Sequence, residues 1–294
     1  MLRISSGQIY DNSKRNIQTN FSEMVKWQNQ LSSGKRITKL SDDAMQSAVL
    51  LRQKSVKSAI EQYDTNLRAA TNYLGNSETA LTEMQNILKK GYELAISGAT
   101  STMDQPARIA LADQIGQMQR RFVDLANTKA NEGQYLFAGQ KNDAAPYSIT
   151  GATITYSGDA NAIRIETSPG QTLKVNTDGG PDFVNAYNAL ESLRVNLIGG
   201  QPGVISGVNV GEMQAQTQRF SQLRSEAGVA MQQVTDLKSM NARRMDELTE
   251  GISSIEDVDF AEAVTQLSRA QTAYQASLQV SANSFSLSLM DYLR

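Results

Sequence analysis

All five prolines of this 294-residue chain, Pro106, Pro146, Pro169, Pro181 and Pro202, fall inside one central window. A proline in a helix interior costs about 3 kcal/mol, because it removes a hydrogen bond and its ring strikes the preceding turn. The proline-free arms, 105 residues before the window and 92 after it, are therefore where long helices can run. Apolar spacing fills both arms. From Val49 a 4-3 repeat passes through Gln53, Val56, Ile60, Tyr63, Leu67, Ala70, Leu74, Ser77, Leu81, Met84, Leu88, Gly91 and Ala95, and eleven of these fourteen positions are apolar. That is the stripe of a helix that packs in coiled-coil fashion.

Asp104 and Pro106 suit the cap and first turn of a second helix, with Leu111, Ile115, Met118, Phe122 and Leu125 on its seam. Residues 183–197 predict a shorter helix with Phe183, Tyr187, Leu190 and Leu197 on one side. A later helix carries Phe220, Leu223, Ala227, Ala230, Val234, Leu237, Leu248 and Ile255. Asn241 and Arg244 interrupt that seam, and either set its alignment or face solvent. Between the helical halves, ATITYSG (152–158), AIRIET (162–167) and QTLKVN (171–176) alternate apolar and polar residues between glycine-rich breaks. Three short antiparallel strands are expected there.

Each chain end reads as one amphipathic helix. Tyr10, Ile17, Phe21, Met24 and Leu31 share a seam near the start. Phe260, Val264, Leu267, Tyr274, Leu278, Phe285 and Tyr292 share one at the end. A helix with one apolar stripe needs a partner, and the natural one is the other end of the chain. Two such helices cover little of each other, so neighbouring copies are expected to complete the packing. The fold class that follows is mainly α: a long antiparallel bundle or coiled coil built from both chain ends, with a small inserted antiparallel β region. The expected division is 1–40 with 260–294, then 41–140 with 181–259, then a β insertion over 141–180.

Chemistry is narrowly bounded. The chain has no histidine and no cysteine. Imidazole and thiol catalysis and the usual zinc, iron and copper sites are thereby excluded. No catalytic residue, metal site or cofactor is assigned, and an enzyme is not expected. The first 40 residues carry a net charge of +5, but the cations are scattered rather than clustered, so nucleic acid is not an expected partner. No apolar run approaches the ~18 residues of a membrane span, and the start lacks the apolar core of a cleavable signal peptide, so no membrane partner is expected either.

One segment breaks the helical pattern: LSSGKRITKLSDDA, residues 31–44. Gly34-Lys35 hints at a phosphate loop, but the second glycine and the preceding strand of that motif are absent. The simpler reading is a linker. Gly34 ends one helix in the left-handed conformation, Ser41 caps the next, and Asp42 and Asp43 occupy its positive first turn. Lys35, Arg36 and Lys39 are either solvated or touch a neighbouring subunit.

LSSGKRITKLSDDA closely resembles the N-terminal segment of the flagellin family that joins the innermost tube domain to the next domain outwards. The ending Tyr292-Leu293-Arg294 is similar to that family too. Within it, GQYLFAGQKNDAAPY (133–147) and FVNAYNALESLRVNL (183–197) resemble the branch found at the hook–filament junction. Met45 and Gln46 depart from the family pattern, in which small residues often follow the two aspartates. The resemblance implies a structural adaptor joining hook to filament, with a filament-forming flagellin as the alternative. It also implies export through the flagellar type III system to an extracellular flagellum. The implied partners are hook-associated protein 1, flagellin, copies of the chain in a ring, and an export chaperone on the C-terminal helix. Leu267, Tyr274, Leu278 and Phe285 of that helix would be the anchors for the chaperone.

Overall fold

The computed structural model describes the backbone of residues 6–130 and 133–292, and the side chains of residues 8–283 apart from 9, 131 and 132. Phe285 and Tyr292 of the C-terminal seam therefore lie outside the residues whose side chains are described. In chain order the elements are α1 (Ser6–Ser33), α2 (Ala44–Gly98), α3 (Gln105–Ala126), β1 (Tyr147–Thr150), β2 (Thr153–Tyr156), β3 (Arg164–Ser168), β4 (Gln171–Lys174), α4 (Gly180–Ile198), the single turn α5 (Pro202–Val204), α6 (Val210–Glu256) and α7 (Phe260–Tyr292). The chain is mainly helical with a small antiparallel β part, as its apolar periodicities require. It groups into two units: Ile60–Arg243, and Met1–Ala59 with Arg244–Arg294.

The first unit is built on the α2 seam. Ile60, Leu67, Ala70, Leu74, Leu81, Met84, Leu88 and Ala95 are all buried. Facing them are Ile115 and Phe122 of α3, Phe183, Leu190 and Leu197 of α4, and Phe220, Leu223 and Val234 of α6. At the α6 interruption, Asn241 is buried and Arg244 is exposed. The ends of these helices are closed by particular side chains. Asp104 caps α3 by accepting from the Ala107 N–H at 3.1 Å. The buried Arg108 donates from Nη2 to the Thr100 carbonyl at 2.8 Å and from Nε to that of Gly98 at 3.3 Å, which satisfies carbonyls left open where α2 ends. A π-helical turn, Ile205–Asn209, leads into α6, and its buried Asn209 is held by Ser192 and Asn196.

The segment 133–147 enters this core. Leu136 and Phe137 are buried, and Phe137 meets Phe183 edge-on at 4.9 Å. Gly139, at φ +68°, is required where it stands: a Cβ there would lie 2.2 Å from the Asp159 carbonyl oxygen. Asp159 in turn accepts from the Gln140 N–H at 2.9 Å, closing the loop on itself.

The β part differs from the expected three strands. Among the described residues there are four, in two separate two-stranded hairpins, β1–β2 and β3–β4. The additional strand is β1, whose Tyr147 pairs with Tyr156 and whose Thr150 pairs with Thr153. The Asn127 carboxamide completes its edge, donating to the Tyr147 carbonyl and accepting its N–H. Both hairpins lie on the helices: Tyr147 and Ile154 join the larger core cluster, and Val175 the smaller one with Leu67, Leu74 and Val234.

The other unit contains the pairing of α1 with α7. The two helices meet through Phe21 and Tyr274, whose ring centres are 5.5 Å apart, and through Asn20, which donates to the Ala273 carbonyl at 3.3 Å. Ile37, Leu50 and Ala263 of this unit are also buried.

Candidate subunit interface

The terminal helix pair presents more apolar surface than it buries. On α1, Ile17, Met24 and Leu31 are half-buried, while Tyr10 and Phe21 are exposed. On α7, Leu267 and Tyr274 are half-buried, but Phe260, Val264 and Leu278 remain 59%, 57% and 42% exposed. Helical geometry explains this split. At 100° per residue, Phe260, Val264 and Leu278 form a stripe about 80° round from the buried Ala263 and Ser281. The apolar face of α7 is thus wider than one partner helix covers. Fully burying such side chains contributes roughly 1.5–3 kcal/mol each, so this flank is a ready contact surface for another helix.

Where the helices end, two linkers zip together. Gly34, at φ +72°, terminates α1 as its position in the sequence predicts. Beyond it Lys35 and Asp257 form an isolated antiparallel bridge. The Arg36 N–H donates to the Glu256 carbonyl at 2.6 Å, and the Val258 N–H to that of Gly34 at 3.0 Å. Gln30 adds a bond from its carboxamide to the Arg36 carbonyl at 2.6 Å.

The side chains reinforce the zip. Glu256, only 8% exposed, receives Lys35 Nζ and Lys54 Nζ, each at 2.8 Å. Burial pushes its pKa up, but the hydrogen bonds from Lys35 and Lys54 outweigh that and hold the carboxyl below its usual range. The Glu256 hydrogen bond raises the Lys35 ammonium above its ordinary value. Arg36 donates from Nη2 to the Ile255 carbonyl at 2.8 Å and lies 3.7 Å from Asp43. Lys39 is exposed and takes part through its backbone N–H, which donates to Asp42 at 2.8 Å.

The two aspartates divide their work differently from the sequence expectation. Asp43 itself, rather than Ser41, caps α2, accepting from the Gln46 N–H at 3.0 Å. Asp42 stands before the helix and folds the linker back, accepting from the Thr38 N–H, the Thr38 hydroxyl and the Lys39 N–H. The Lys39 N–H is the main cause of its lowered pKa. The shift in cap has a local reason: α2 starts at Ala44, so only Asp43 is placed to reach the free N–H groups of its first turn. Residues 256 and 54 went unseen in the sequence reading. A signal was present, because the acidic Glu256-Asp257…Asp259 break mirrors the basic Lys35-Arg36…Lys39 break in sign.

Among the described residues no cluster of carboxylates could hold a metal ion, and no helix is long and apolar enough to cross a membrane. The site offers packing surface and an ion-paired clamp.

Residues 4–142 match the family model for the bacterial flagellin N-terminal helical region, and residues 210–293 that for the C-terminal helical region. Flagellar hook-associated protein 3 of Escherichia coli is 25% identical, over 98% of this chain and 98% of its own. The protein of that name from Salmonella typhimurium is 24% identical, over all of both chains. The crystal structure of Bacillus cereus FlgL shares the fold at a TM-score of 0.60 and 20% identity, covering 70% of this chain and 100% of its own.

Proposed function

This chain belongs to the bacterial flagellin family, and on that premise we propose that it is a structural adaptor of the flagellum that joins the hook to the filament. The observation that carries the reading is end-to-end coverage: both relatives named hook-associated protein 3 align with essentially their whole length and the whole of this chain.

The mechanism follows from the open flanks. Residues 1–40 with 260–294 form the layer that packs into an inner tube, with Phe21, Phe260, Val264 and Leu278 covered by neighbouring copies in a ring. One face of that ring fits hook-associated protein 1 and the opposite face fits flagellin. The clamp at Glu256 holds the two linkers together while load passes through them. Before export through the type III channel, a chaperone covers the α7 stripe. The half-buried or exposed state of Leu267, Tyr274 and Leu278 supports this reading, since all three retain surface for a partner.

Electron microscopy of the pure protein under conditions that drive flagellins to polymerise, with and without short filament seeds, tests the proposal. Copies confined to seed ends or to hook-associated protein 1 are expected. Long filaments made by the protein alone would establish the second reading, a filament-forming flagellin, which the two flagellin regions also favour.

A further inference from the structure

We propose that the outer face of α1 on one copy, which carries Arg15 and Lys26, docks on the acidic outer face of α6 on a second copy, which carries Asp246, Glu250 and Asp257. The inference rests only on the packing of copies. A filament-forming flagellin would share that packing, so failure of the junction role leaves the inference standing.

All five residues belong to the unit of Met1–Ala59 with Arg244–Arg294, and its two chain segments are opposite in charge. Residues 1–59 hold ten cations and four anions, a net of +6. Residues 244–294 hold three cations and eight anions, a net of −5. From Met245 to Ser268 all seven charged residues are acidic. Part of this opposition is met inside the chain, by Lys35 and Lys54 on Glu256. The rest is left over. Arg15, Lys26, Asp246 and Glu250 are exposed and have no ion-pair partner among the described residues. Asp257 is exposed too, and its carboxylate accepts from the Ser253 hydroxyl and acts at a distance on Lys35.

The spacing matches as well as the sign. Arg15 and Lys26 are eleven residues apart, which puts them about 20° from each other round the helix and roughly 16–17 Å along it. They stand about 170° from the midpoint of Asn20 and Phe21, which meet α7, so they face away from the intramolecular pairing. Asp11 and Glu23 of α1 are set about 40° and 60° aside, and neither comes within ion-pair distance of them. Asp246 and Asp257 are likewise eleven residues apart, with Glu250 within about 40° of both. Glu250 is about 160° round from the seam residue Leu248.

Each face thus lies on the far side of its helix from that helix's own seam. A second copy satisfies both sets of charges at once. The contact is heterologous, so every docked copy offers a free face to the next, as a ring or tube requires. Exposed ion pairs are individually weak and are screened by salt. Their part is to select which faces meet, more than to hold the copies together.

The test is charge exchange in the full-length protein. One variant carries Arg15→Glu and Lys26→Glu, the other Asp246→Lys and Glu250→Lys. Small-angle scattering at protein concentrations up to ~1 mM reads association. The native protein should associate at ~20 mM salt and lose that association at ~500 mM. Each variant alone should associate at least about fivefold more weakly, and an equimolar mixture of the two should recover the native level. Unchanged circular dichroism would show that both variants are folded. A native protein that stays monomeric at low salt, association that neither variant weakens, or a mixture no better than its components would overturn the proposal.

Discussion

Replacing Glu256 by Gln should loosen the linker zip without unfolding the helices around it. The substitution keeps size and one acceptor oxygen but removes the charge that Lys35 and Lys54 share at 2.8 Å each. Hydrogen bonds to charged groups contribute about 1.5–3 kcal/mol. The two lysines are 48% and 43% exposed, so solvent screening brings the figure towards that of surface pairs. A net loss of ~1–2 kcal/mol follows, or roughly a 5- to 30-fold rise in local opening. Native-state hydrogen exchange reads this directly at the Val258 and Arg36 amides, whose acceptors are the Gly34 and Glu256 carbonyls. The Ala107 amide, bonded to Asp104 in the other unit, is the internal control. The effect carries a pH signature. The folded pKa of Glu256 is lowered, so its contribution is present above the unfolded value near ~4.3 and is lost as pH falls through the folded value. Lys35 is raised, so its contribution holds below ~10.4 and is lost as pH rises through its folded value. Asp42 also titrates in this linker with a lowered pKa, so the difference between native protein and E256Q isolates the clamp. Protection of Val258 and Arg36 that changes less than about twofold, or an acid dependence identical in both proteins, would refute the reasoning.

Gly139→Ala should destabilise the protein by at least ~2 kcal/mol, seen as a lowered thermal midpoint, because the added methyl meets the Asp159 carbonyl at 2.2 Å and the backbone sits at φ +68°. Asp43→Ala should cost about 1 kcal/mol of local stability, read as faster exchange of the Gln46 amide, whereas Ser41→Ala should stay within ~0.5 kcal/mol. The triple change Phe260→Ser, Val264→Ser and Leu278→Ser should leave monomer unfolding within about 1 kcal/mol, because all three side chains are already exposed. Incorporation at filament-seed ends, counted by electron microscopy, should then be lost; retention at native levels would remove the α7 flank from the interface.

The helical architecture was legible because its determinants are local. From Ile60 to Ala95 the seam is buried apart from the half-buried Tyr63, although Val49 at the start of the repeat is exposed, and Asp104 caps α3 from the position its sequence context marks. Gly34 terminates α1 for a reason visible in one residue. Strand β1 was missed because its segment, YSIT, is short and half-polar, and its place depends on Tyr147 reaching Phe183 and Asn127 reaching its edge. The cap of α2 was misplaced by two residues because Ser41 and Asp43 carry equivalent chemistry, and only the backbone path around Asp42 selects between them.

By itself, the sequence determined which segments are helical, which stripe of each is apolar, and that the stripes at the two ends demand partners. Those properties follow from periodicity and from the backbone preferences of proline and glycine, which act over a few residues. The tertiary structure alone decided that Glu256 would collect Lys35 and Lys54, that Asn241 would be buried where Arg244 is not, and that Gly139 would lie under Asp159. Each depends on which faces meet. The Lys54–Glu256 partners are 202 positions apart, and no local preference can encode a contact at that distance.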